Sequence, residues 1–138
     1  MLERFVAAQA PVYAQVVAEL EAGRKTSHWM WFIFPQLRGL GRSPTALYFG
    51  IEDLGEAKAY LRHPVLGPRL VECSRLVLAV EGRSATAIFG SPDDLKLRSA
   101  MTLFGRAAAE EAVFAAVLET YYDGQEDPAT LALLGAAP

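Results

Sequence analysis

Trp29, Met30, Trp31, Phe32, Ile33 and Phe34 place six large apolar side chains in succession. Neither a helical nor a strand repeat can turn such a run to one side, so protein must surround it on most faces. The chain therefore needs a core large enough to enclose it. Its 138 residues, 52% hydrophobic and 21% charged, have the size and composition of one globular domain spanning 1–138. At that length about 70% of the unfolded surface can be buried, so no disulfide or metal staple is required. The run itself fits a buried strand as well as a helical turn. No second convincing strand offers itself for pairing, and a short helix or irregular turn through the core is expected.

The rest of the chain reads as amphipathic helix. Leu2, Phe5, Val6, Tyr13, Val16, Val17 and Leu20 recur at i, i+3, i+4, i+7 spacing, with Gln9 alone out of type. Pro11 predicts a break near Ala10, and Gly23 an end to the second piece. Ser43-Pro44, Ser91-Pro92 and Asp127-Pro128 each set a capping side chain before a proline at the first helical position. Asp53 with Glu56 reads as a variant capping box, and Ser84 as the cap of a short turn stopping at Gly90. Pro64–Val80 is a further helix, with Gly67-Pro68 expected to kink its start. Leu95, Leu97, Met101 and Phe104 give the core face of a helix from Pro92 to Arg106. Glu111–Tyr122 and Asp127–Leu134 complete the series. The expected fold class is all-α: a compact multihelical single domain of about seven helices around an aromatic-rich central segment.

Cys73, the sole cysteine, excludes an internal disulfide and a Cys-based zinc site, and its apolar surroundings read as core. No metal site is expected. No apolar stretch is long enough to cross a bilayer, and no export signal opens the chain, which points to the cytoplasm. Formal charge is uneven: net −2 over residues 1–23, +5 over 24–106 and −6 over 107–138. The basic centre suits a small anionic ligand but lacks the dense Lys/Arg clustering of a nucleic-acid binder.

Two places hold residues capable of chemistry. His28 stands directly before the aromatic run, with Lys25, Thr26 and Ser27 ahead of it and Gln36 and Arg38 beyond. Indoles, an imidazole and flanking cations are the composition of a small-ligand pocket; a hydrogen-bonding His28 beside core aromatics is the plainer alternative. The second place is Ser91–Ser99. Capping and the helix dipole account for its residues, yet Lys96 and Ser99 share a face, and Asp94 is spaced to pair with Arg98. If that face turned toward His28, a carboxylate, an amine, a hydroxyl and an imidazole would converge. His28, Asp94 and Lys96 are thus the candidate catalytic residues. Lys25, His28, Trp31, Gln36, Arg38, Asp94 and Lys96 are the candidate ligand-binding set. His63, before Pro64, reads as a capping or surface residue. Gly39-Leu40-Gly41-Arg42 reads as a loop whose amides could approach a ligand. GxSxG, HExxH, Walker and GxGxxG motifs are absent, and no cofactor is indicated.

The strings Ser27–Gln36, Gly39–Ser43, His63–Leu70 and Phe89–Lys96 resemble the bacterial and fungal family of unknown function DUF1810, along nearly the whole chain. Some of its members carry the label calpastatin. That label implies an extended, disordered inhibitor, which this composition does not match. The resemblance implies an all-α, multihelical single domain without an assigned activity. More loosely, the chain resembles helical domains that process ADP-ribose, which also set buried aromatics beside an acid and a lysine. Two functions follow: a small-ligand binding protein or enzyme for an anionic or nucleotide-like compound, or a protein-interaction module that presents the acidic C-terminal helix.

Overall fold

The computed structural model describes residues 2–135; the expected domain limits at 1 and 138 lie outside them. Among the described residues the chain forms ten helices and no strand. They are α1 (Glu3–Gln9), α2 (Tyr13–Glu21), α3 (Met30–Ile33), α4 (Pro44–Phe49), α5 (Leu54–Arg62), α6 (Leu66–Ala79), α7 (Ala85–Phe89), α8 (Asp93–Ala107), α9 (Ala112–Tyr122) and α10 (Pro128–Leu134). Seven of them reach seven residues or more, and α3, α4 and α7 are short connectors. An isolated parallel bridge joins Leu37 to Ile51.

The local signals explain most boundaries. Pro11 separates α1 from α2, and Gly23, at φ 71°, follows the end of α2. Ser43, Asp53, Ser84 and Asp127 each accept a hydrogen bond from the backbone N–H three residues on, at 2.9–3.1 Å. Glu56 completes a shifted capping box, accepting from Glu52 N at 2.8 Å rather than from the cap residue itself. His63 Nδ1 likewise accepts from Val65 N and Leu66 N, tying off the α5–α6 turn.

Three expectations need correction. Ser91 does not cap α8. The Ser91–Pro92 bond is cis, the helix starts at Asp93, and its first amides are taken by Gly90 O, Pro92 O and the carboxylate of Asp94. Leu95 does not face the core: it is 58% exposed. Leu97, Ala100, Met101 and Phe104 form the buried stripe, and a residue two positions before Leu97 falls on the opposite side. Finally, α6 runs uninterrupted from Leu66, because Pro68 lies in the first turn, where a missing N–H sacrifices no helical hydrogen bond.

Helix α8 is the axis of the fold, packed against α5, α7, α9 and α10, while α6 packs on α2, α5 and α9. Two groups of rings knit these layers. One is a chain, Phe5–Tyr60–Phe104–Phe114, with centroids 5.2, 5.2 and 6.0 Å apart. The other is a triangle of Trp29, Phe34 and Phe89 with sides of 6.0–6.3 Å. The aromatic run thus enters the core as the single turn α3. Trp29, Met30, Ile33 and Phe34 are buried, and Trp31 and Phe32 lie half-buried on its outer side.

Candidate functional site

The loop before α3 is organised by Glu19, a residue that no sequence motif marks. Glu19, on α2, is only 4% exposed, and its carboxylate gathers five donors. Thr26 N (2.7 Å), Ser27 N (3.1 Å), Ser27 Oγ (2.5 Å) and Trp29 Nε1 (2.9 Å) come from the loop, and Gln15 Nε2 (2.8 Å) from its own helix. Burial opposes ionisation, yet the hydrogen bonds from Ser27, Thr26, Gln15 and Trp29 outweigh it and hold the carboxyl at about 2. Lys25 N, bonded to Ile88 O at 2.8 Å, pins the start of the loop to α7. One detectable signal existed: Glu19 lies three residues after Val16 and beside Leu20, on the apolar side of α2.

This scaffold brings Lys25 and Lys96 together. Lys25 Nζ meets Asp93 Oδ2 at 2.9 Å and Lys96 Nζ meets Asp93 Oδ1 at 3.2 Å. Each ammonium also lies over an indole, Lys25 5.0 Å from the Trp29 ring centre and Lys96 3.8 Å from that of Trp31. The three charged side chains are 7%, 19% and 20% exposed for Lys25, Asp93 and Lys96. Lys25 spends its remaining donor on Ser27 O at 2.6 Å. Among the described residues Lys96 contacts Asp93 and the Trp31 ring, which leaves one of its three N–H groups without a partner there.

Of the seven residues expected at a site, Lys25, Trp31 and Lys96 are brought together. Gln36 borders Trp31, lining with Gly41, Ala46 and Phe49 a void of about 10 Å³, room for one water. His28 is exposed on the loop between Lys25 and Trp29. Asp94 and Arg38 are directed elsewhere. Asp94 accepts from Thr86 Oγ1 at 2.6 Å and caps its own helix, so the carboxylate beside Lys96 is Asp93 instead. Asp93 stands three residues before Lys96, the same helical spacing that had suggested Ser99. Ser99 binds Leu95 O and Asp127. Arg98 binds Gln125 O and Glu126 O, not Asp94. Arg38 holds Leu47 O, Gly50 O and the Glu52 carboxylate, closing the α4 loop. In the glycine loop, a side chain at Gly41 would stand 2.9 Å from Ala46 Cβ, so packing alone accounts for glycine there.

Nor are the C-terminal acids gathered on one helix. Within α9 the only acid is Glu119; Glu126 pairs with Arg106 at 2.8 Å and Asp127 caps α10. Among the described residues no group of three or more His, Cys, Asp or Glu is placed to hold a metal ion, and no helix is long and apolar enough to cross a membrane.

Fold and site together define an all-α domain with a lysine–indole corner rather than a deep aromatic pocket. The chain belongs to the family described as Protein of unknown function (DUF1810), whose model matches residues 1–134. It is similar to the crystal structure of the conserved hypothetical protein Rv1873 from Mycobacterium tuberculosis, with 62% identity and a TM-score of 0.96. That match covers 99% of this chain and 97% of the other. No curated protein matches the chain significantly.

Proposed function

We propose that the corner formed by Lys25, Trp31, Asp93 and Lys96 binds a small anionic, nucleotide-like molecule. The observation that carries this reading is the uncommitted donor of Lys96, beside a triad whose two lysines and one carboxylate leave one positive charge over. An anionic group can complete the coordination of Lys96, and the half-buried Trp31 offers apolar surface to a planar group beside it. The void at Trp31 is far below the roughly 300–1,000 Å³ of an enclosing ligand site, so the ligand lies on the surface as on a shelf. Asp94, engaged by Thr86, is not the carboxylate of the corner, and the reading is one of binding. A protein-interaction role has less support, because the acids expected to mark the partner surface are dispersed.

The test is a thermal-shift panel of AMP, ADP, ADP-ribose, NAD and pyrophosphate on the native chain and on K96M. Asp93 keeps Lys25 in K96M, so that variant is expected to fold with stability within about 1 kcal/mol of native. A ligand at 100 times its Kd adds about 2.7 kcal/mol, or roughly 9 °C for a domain this size. A response in the native chain that K96M loses supports the reading. A flat panel, or equal responses from both proteins, overturns it.

A further inference from the structure

On the far side of α5 and α6 lies a cleft of about 780 Å³. It takes Lys58, Leu61 and Arg62 from one face of α5, and a single stripe of α6 comprising Pro68, Val71, Glu72, Arg75 and Leu76. The α8–α9 turn closes it with Ala107, Ala108, Glu110 and Glu111. The floor is apolar and half-buried at Leu61, Val71 and Leu76. The rim is charged with both signs: the cations Lys58 and Arg62 on α5, the acids Glu110 and Glu111 on the turn, and one of each, Arg75 and Glu72, on α6. Among the described residues Lys58, Arg62, Arg75, Glu110 and Glu111 enter no ion pair, whereas Lys25, Arg38, Lys96 and Arg106 all do. Glu72 enters no ion pair either; it accepts from the hydroxyl of Tyr13 at the α2 side of the cleft.

Opposite charges that line one cleft without neutralising each other leave it complementary to a molecule that carries both signs. We infer that this cleft is a second binding site, taking a small dipolar ligand with a carboxylate and an ammonium at the two ends of an apolar body, as an unblocked short peptide has. The volume lies in the range of small-ligand sites. Its cube root, about 9 Å, is close to the roughly 10 Å length of an extended tripeptide. Carboxylate to Lys58, Arg62 and Arg75, and ammonium to Glu110 and Glu111, satisfies both walls while the side chain covers the floor. The inference is independent of the reading of the lysine–indole corner.

The probe is the free tripeptide Ala-Leu-Ala, titrated into ¹⁵N-labelled protein and followed by amide shifts. Its N-acetylated and C-amidated forms serve as controls. Saturable shifts are expected at Gly67, Val71, Ala107 and Ala108, with binding at least fivefold weaker when either end is blocked. R62A/R75A and E110A/E111A change exposed or rim side chains only, and each is expected to lose the response, whereas R42A keeps it. No saturable shift up to several millimolar, blocked peptides that bind as well as the free one, or shifts centred on Trp31 and Lys96 would each overturn the inference.

Discussion

Replacing Glu19 with glutamine removes the charge that gathers five donors while keeping the side chain's size. The amide offers one oxygen and turns an NH₂ toward groups that themselves donate. A carboxyl held near 2 instead of its ordinary 4.5 contributes roughly 3 kcal/mol at neutral pH, at about 1.4 kcal/mol for each tenfold change. The hydrogen bonds give a compatible figure. Only Trp29 Nε1 is a fully buried donor; the loop amides can regain water when the carboxylate is gone, so the loss is nearer to one or two charged hydrogen bonds than to five. E19Q is therefore expected to lower the unfolding free energy by about 3 kcal/mol in urea melts followed by circular dichroism. The acid limb provides a second readout. Because the folded pKa is depressed, the contribution is complete above 4.5, shrinks as pH falls and is gone near 2. Native protein should lose stability more steeply than E19Q across that window. A variant within 1 kcal/mol of native, with an unchanged acid slope, would refute the claim that this carboxylate organises the loop.

Further outcomes follow from other contacts. A Cβ at Gly67 would stand 2.1 Å from Leu61 O, backbone that cannot step aside, so G67A should cost about 2–4 kcal/mol in the same melts. Asp127 accepts from Thr130 N, Thr130 Oγ1 and Ser99 Oγ, so D127A should cost about 1–2 kcal/mol and speed amide exchange in α10 first. Burial pushes the Cys73 thiol up to about 12. Native protein at pH 8 should therefore resist thiol reagents that label it readily in urea.

The helical frame was legible because its signals are local. Ser43, Asp53, Ser84 and Asp127 cap the amides that their spacing predicts, and the run at Trp29–Phe34 turns once through the core, as its lack of a polar side requires. The site was legible only in part. Lys25, Trp31 and Lys96 were identifiable by type, and the Asp93–Lys96 pair was readable too, since three residues put both on one helical face whereas Asp94, two before Lys96, falls on another. Glu19 was harder still. Its partners are backbone amides and an indole seven to ten residues ahead, and no motif marks a carboxylate for loop amides that face it only after folding. The cleft between α5 and α6 draws on three separated segments, so its charges share a rim only in the folded chain.

The two tryptophans stand two residues apart yet in different surroundings, Trp29 at 1% exposure against Glu19 and Trp31 half-buried beneath Lys96. Nature has in effect supplied the domain with two optical probes. Emission from Trp29 reports on whether the loop is seated in the core; emission from Trp31 reports on whatever approaches the lysine above it. In W31F the remaining signal is that of the buried Trp29, and subtracting it from the native signal isolates the contribution of Trp31. Stability and occupancy can thus be read separately from one chain without attaching a label.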